Sequence, residues 1–197
     1  MDKIIPIARL AVELSQVKRA VGYKEGHLEN DSEHSFQLAL VCWLVNQQYS
    51  LKLNEELILK FALVHDLVEV YAGDINAFSN NKEDLEVKKV NEEKAFKKLR
   101  KNYSKYTQML EAIEKYETKK SAEAQFVFII DKILVATNIY NNGNTYYKDN
   151  QITLAMWKKW LLNKVKIDTF DDRIKKIFIY LLNMAEKSFS KIFFNSK

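Results

Sequence analysis

A single proline, Pro6, and four glycines are spread over 197 residues. A sandwich or barrel of many short strands needs turn residues every few positions, so this scarcity excludes such an architecture and predicts an all-α protein. Only one cysteine is present, Cys42, so no internal disulfide can form. Its setting, "LALVCWLV", marks it as a small core residue. No apolar run approaches the roughly 18 residues of a membrane span. The opening "MDKIIPIARLAVELSQVKR" lacks a basic region followed by an apolar run and a small-residue cleavage site. A cytoplasmic protein without a membrane partner is therefore expected. A dominant charge is missing as well, since 31 basic residues stand against 26 acidic ones. The two signs interleave in "NNKEDLEVKKVNEEKAFKKLRK", the pattern of a solvated helix face, and nucleic acid is not an expected partner.

What is present is 47% apolar residues in a chain long enough for a sizeable core. No repeat or low-complexity linker divides it, and one domain over residues 1–197 is predicted, built of about seven to eight helices. Periodicity predicts a first helix over 3–18, with Ile4, Ile7, Ala8, Ala11 and Leu14 on one stripe. "VGYKEGHLEND" reads as a loop. A second helix is expected from an N-cap at Asp31 or Ser32 to Gln48. A third follows the N-cap Asn54, carries the stripe Leu57, Phe61, Val64, Val68 and Tyr71, and stops near Gly73. After a loop through "DINAFSNN", helices are expected over 82–101, 104–117 and from Ser121 to Tyr140. "NNGN" signals a turn. Two helices over about 151–165 and 170–193 complete the chain.

Chemistry concentrates in "LVHDLVEV", residues 63–70. His65, Asp66 and Glu69 interrupt a run otherwise suited to a core, and their burial must be repaid by a salt bridge, a hydrogen-bond network or a metal ion. On a continuous helix, His65 and Asp66 splay by about 100° and could straddle one ion. Glu69 returns to the same side, within reach of a bound water or substrate. Two further candidates sit in apolar surroundings: His34 in "NDSEHSFQLALV" and Asp131 in "FVFIIDKILVA". Together the two histidines and two aspartates form a mixed nitrogen and oxygen set suited to Mn²⁺, Fe²⁺, Co²⁺, Ni²⁺, Mg²⁺ or Zn²⁺. Trp43, Trp157 and Trp160 read as packing residues, and Glu92 and Glu93 as part of a solvated face.

A His, a His-Asp pair some thirty residues later and a distant Asp resemble the HD-domain metal-dependent phosphohydrolases. The segments "DSEHSFQLAL", "ALVHDLVEVYAGDI" and "YETKKSAEAQFVFIIDK", in that order, are similar to the 5′-deoxynucleotidase branch and cover residues 18 to 140. The resemblance implies an HD-type helical bundle with a metal-site core at about 18–140 and C-terminal helices at about 150–194. It implies a divalent cation, manganese, cobalt, another transition metal or magnesium, held by His34, His65, Asp66 and Asp131. It implies hydrolysis of deoxynucleoside 5′-monophosphates by a homodimer, with Glu69 beside the attacking water and Asp74 at the substrate side. Members of the branch commonly carry an Arg ahead of Gly-Trp, for phosphate and sugar. Here Arg19 and Tyr23, in "VKRAVGYKEG", match those positions with one extra residue between Arg and Gly, and the Pro that often follows "GDI" is replaced in "GDINAF". Other nucleotide substrates of the wider family (deoxynucleoside triphosphates, cyclic dinucleotides, alarmones) and a non-catalytic nucleotide-binding role are the competing expectations.

Overall fold

In the computed structural model, which describes residues 4–74 and 82–195, the chain folds almost entirely into helices. They are α1 (Ile4–Leu14), α2 (Asp31–Gln48), α3 (Glu55–Val64), α4 (Glu69–Ala72), α5 (Lys82–Asn102), α6 (Thr107–Thr118), α7 (Ala122–Asn142), α8 (Tyr146–Asp149), α9 (Leu154–Lys164) and α10 (Asp172–Lys187). The loop expected through "DINAFSNN" falls, beyond Asp74, outside the described residues. Among the described residues no helix is long and apolar enough to cross a membrane.

α7 is the axis of the molecule. Its residues from Ala124 to Asp131 are buried without interruption, so this stretch is apolar all round rather than amphipathic, as a central helix must be. α2, α3, α6 and α10 pack on it. α10 contributes Ile174, Phe178, Leu181 and Ala185, one buried stripe at helical spacing. Cys42 and Trp157 are buried in the same continuous core, whereas Trp43 is exposed on α2 rather than packed.

Capping residues set most helix ends. Asn54, Ser121 and Thr153 each accept a backbone N–H from the first turn of α3, α7 and α9. Gly143, at φ 65°, ends α7 in the left-handed region. The cap of α2 lies one residue earlier than expected. Asn30 accepts from Ser32 and Glu33, and the Glu33 side chain accepts from the Asn30 N–H, a complete capping box. Asp31 is thereby released from capping.

Three further expectations are corrected. The "VGYKEGHLEND" region is no simple loop, because β1 (Lys18–Gly22) and β2 (Leu28–Asn30) pair as an antiparallel hairpin. Lys18 pairs with Asn30 and Gly22 with Leu28, so β1 carries surplus residues that bulge between the pairs. Strands this short and irregular leave no alternating pattern to read. α1 ends at Leu14 and buries Leu10 and Leu14, while Ile4, Ile7, Ala8 and Ala11 of the expected stripe stay exposed. The third helix breaks after Val64. Leu67 N–H donates to Val64 O at 3.1 Å and Glu69 N–H to Asp66 O at 2.9 Å, tightened i→i−3 bonds across residues 65–68.

Candidate active site

That tightened turn carries the His-Asp pair. The His65 ring lies 2.9 Å from the Ala62 carbonyl through Nδ1, which leaves Nε2 facing Asp66 Oδ2, also at 2.9 Å. The two side chains converge rather than splay, drawn together by their own contact and by Arg19 on the same Asp66 oxygen. His34 reaches the same point from the first turn of α2. Its ring centroid is 5.3 Å from that of His65. Ligand-type atoms of His34, His65 and Asp66 all lie within 4.8 Å of one another, and so do those of Asp31, Asp66 and Glu69. From the middle of α7, Asp131 places Oδ1 3.1 Å from His34 Nε2. Four residues from the α2 end, the broken third helix and α7 therefore meet, although none is near another in sequence beyond the His65–Asp66 pair. Two imidazoles and two carboxylates at this spacing could hold one divalent ion of mixed nitrogen and oxygen preference.

The bulged hairpin brings a counter-charge. Arg19 Nη1 lies 2.6 Å from Asp66 Oδ2 and 3.1 Å from Asp31 Oδ1, and its Nε lies 3.1 Å from Glu29 Oε2. Lys132 Nζ lies 2.6 Å from the other oxygen of Asp131. Asp131 thus meets a cation on one oxygen and an imidazole on the other, whereas Asp66 meets both through Oδ2.

These contacts govern ionisation. Burial opposes charge on Asp66, but His65, Arg19 and His34 outweigh it and hold the carboxyl well below the usual range. Asp131 is held low in the same way, against burial, by Lys132 and His34. Burial and the charge of Arg19 work against protonation of His34, yet contacts with Asp131 and Glu29 raise it to about 9. Glu69 goes the other way. Burial and the negative charges of Asp66, Asp74 and Asp31 push it up to about 11, and its Oε2 is buried without a hydrogen-bond partner. Asp31, desolvated and facing Asp66, rises to about 6.

The cluster forms the floor of a cleft of about 790 Å³. Arg19, Asp66, Glu69, Asp74 and Asp131 face it from the floor, and Lys132, Phe128 and Trp160 from a wall of α7 and α9. Glu92 and Glu93, expected as plain solvated residues, line it from α5. Gly73, at φ 74°, ends α4 and turns Asp74 toward the cleft. Tyr23 is elsewhere. Its hydroxyl accepts from Gln37 Nε2 at 2.5 Å, its ring stacks on His27, and it is not among the cleft-lining residues.

Of the residues marked from sequence, His34, His65, Asp66, Asp131, Arg19, Glu69 and Asp74 converge, and Tyr23 does not. Glu29, Asp31, Lys132 and Trp160 were missed as site residues. Lys132 could have been found as the neighbour of Asp131. Glu29 and Asp31 carried no signal, since their placement depends on the unrecognised hairpin.

Residues 11–168 match the family model described as HD domain. The chain is 31% identical over 134 residues to bovine (Bos taurus) 5′-deoxynucleotidase HDDC2, covering 66% of this chain and 62% of that protein. It is 30% identical over 133 residues to the human (Homo sapiens) protein of the same name, covering 66% and 63%. It therefore spans less than two thirds of the length of these curated relatives. Among solved structures, a "predicted metal-dependent phosphohydrolase" from Magnetospirillum magnetotacticum MS-1 superposes with a TM-score of 0.76 at 19% identity, covering 98% of this chain and 94% of that one. The PH0347 protein of Pyrococcus horikoshii OT3 superposes with a TM-score of 0.61 at 22% identity, over 96% and 99%. With the ordered His, His-Asp and Asp brought together on this scaffold, the chain belongs to the HD domain family.

Proposed function

We propose that this chain is a divalent-metal-dependent phosphohydrolase that converts deoxynucleoside 5′-monophosphates to deoxynucleoside and phosphate. The observation that carries the reading is the convergence of His34, His65, Asp66 and Asp131, the last three lining a cleft and His34 buried behind them, with Arg19 against Asp66. The likeness to the 5′-deoxynucleotidases supports the substrate class. In this reading His34, His65, Asp66 and Asp131 would hold the ion. A divalent ion so held supplies charge for a phosphoryl oxygen and lowers the pKa of a bound water.

The protein side chains do the rest. Arg19 offers its guanidinium to the phosphate, whose double negative charge suits a planar, permanently charged partner. The same group balances Asp31 and Asp66 before substrate arrives. Lys132 adds a second cation on the cleft wall. Glu69 holds a proton at a buried, unpartnered oxygen, the state required to donate to the departing 5′-oxygen. Asp74, which lines the cleft, is assigned to substrate positioning. Tyr23 is not assigned to substrate, because its hydroxyl is engaged with Gln37 away from the cleft. The proposed enzyme is cytoplasmic and homodimeric.

The test is phosphate release from dAMP, dCMP, dGMP, dTMP and dUMP with Mn²⁺ or Co²⁺. Activity is expected with at least one of the five, abolished by EDTA and restored by the metal. Release of triphosphate, linear dinucleotide or pyrophosphate from other nucleotides, with none from monophosphates, would replace the substrate assignment. No hydrolysis of any nucleotide with either metal would overturn the enzymatic reading.

A further inference from the structure

Glu29 is fully buried in the middle of β2, in contact with two of the residues to which the proposed function gives work. Its Oε2 lies 3.1 Å from Arg19 Nε and 3.4 Å from His34 Nδ1. Its Oε1 accepts from Asn138 Nδ2 at 3.0 Å, and the Tyr23 hydroxyl lies 3.4 Å away. A buried carboxylate must be compensated by donors or counter-charges: Glu29 accepts hydrogen bonds from Asn138 and Tyr23 and lies at ion-pair distance from Arg19 and His34. We propose that Glu29 is a positioning residue that couples the ion ligand His34 to the phosphate-binding Arg19. The proposal rests on the metal-dependent reading above.

The argument is one of donors and acceptors. His34 turns Nε2 toward Asp131, so Nδ1 is the only ring nitrogen left to meet Glu29. A carboxylate accepts only, so in the metal-free chain both ring nitrogens face acceptors, and the proton that a bound ion would displace is the one on Nε2, leaving Nδ1–H toward Glu29. Such outer partners orient a ligating imidazole and raise its basicity. The same oxygen lies at ion-pair distance from Arg19 Nε, while Nη1 reaches Asp31 and the cleft-lining Asp66. Glu29 is itself held from α7. Asn142 Nδ2 donates to Asn138 Oδ1 at 2.6 Å, which fixes the Asn138 amide so that Nδ2 faces Glu29. Asn138 lies seven residues after Asp131, two turns along one face of α7. That face therefore contacts His34 directly through Asp131 and indirectly through Asn138 and Glu29.

A purely structural ion pair would stabilise the fold without setting ion affinity, and the two roles separate in one experiment. Wild type, Glu29→Gln and Asn138→Ala are titrated with Co²⁺ by visible absorption, and their thermal unfolding is followed in EDTA. Deoxynucleoside monophosphate kinetics are measured at saturating metal. Glu29→Gln keeps shape and one acceptor but loses the charge. Its Co²⁺ Kd is expected to rise roughly 10- to 100-fold, with band positions unchanged because the four ligating groups remain. KM is expected to rise about tenfold, with a smaller change in kcat, as Arg19 loses its anchor. Asn138→Ala should move Kd in the same direction by a few-fold. A folded Glu29→Gln protein with wild-type Co²⁺ affinity and KM, even one that melts earlier, overturns the proposal. Should that variant fail to fold, an unchanged Co²⁺ affinity in Asn138→Ala overturns it equally. Wild type that binds no Co²⁺ overturns the metal reading itself, and the proposal with it.

Discussion

At the scale of single residues, the site is a balance of charges that cannot be removed one at a time. His65→Ala and Asp66→Ala are each expected to cut turnover by at least about 10³-fold, because each removes a proposed ion ligand at the reacting phosphate. Far-UV circular dichroism should stay helical, since both lie on a turn between helices and not inside one. Full turnover by a folded Asp66→Ala protein would remove Asp66 from the ligand set. Arg19→Met is expected to raise KM by roughly 10- to 150-fold, the value of one lost charge-assisted contact of about 1.5–3 kcal/mol. Titration follows from the same contacts. With its pKa raised to about 9, His34 is protonated at neutral pH in the metal-free chain, and ion binding must displace that proton. Apparent metal affinity should therefore fall as pH drops below about 9. Calorimetry in buffers of different ionisation enthalpy should register close to one proton released at pH 7.5.

At the scale of elements, the caps and the break in the third helix position the chemistry. Asn30 starts α2 one residue before Asp31, so that Asp31 and His34 both face inward from its first turn. Asn30→Ala removes both capping contacts and should cost about 1 kcal/mol in urea unfolding, with a weakened site as a second reading because His34 sits in the loosened turn. Sequence periodicity ran through residues 65–68 without a break, since the apolar stripe of α3 and the residues after it fits one helix. What opens the helix there is the competition of the His65 ring for the Ala62 carbonyl and the pull of Arg19 on Asp66 in the following turn, both side-chain effects. The hairpin was equally hidden. Its two strands span five and three residues and bulge, yet it delivers Arg19 and Glu29 to the site.

At the scale of the whole molecule, pH and ion binding act on stability together. Asp31 is raised to about 6, His34 to about 9 and Glu69 to about 11. A raised pKa gives stability that is fully present below the unfolded value and is lost as pH climbs to the folded one. For His34 alone that loss falls between about pH 6.5 and 9, on the order of 3 kcal/mol. The depressed carboxyls Asp66, Asp131 and Glu29 lose their contribution only on the acid side. The EDTA-treated chain should accordingly melt at progressively lower temperature from pH 6.5 to 9. Manganese should raise the midpoint most at the alkaline end, where no proton needs displacing. A midpoint that rises over this range without metal would contradict the contacts assigned to His34. The proposed homodimer is checked by light scattering, with a mass of about twice 23.2 kDa expected. The exposed Phe36, Leu40, Trp43 and Leu44 on one side of α2 offer an apolar face for such a contact.

The sequence alone determined that this protein is helical, because so few glycines and prolines leave little else to build. It also determined where most helices begin and which imidazoles and carboxylates sit in apolar text. Those are local properties, written in spacing and capping within a turn or two. Only the tertiary structure decided that Asp66 and His65 face each other, that Tyr23 turns away while Trp160 walls the cleft, and that Glu29 stands behind both His34 and Arg19. The wider network that holds these side chains joins residues 12 to 109 apart, Arg19 to Asp31 and Asn138 to Glu29, and its closure is governed by packing around α7 and by the need of buried charges for partners.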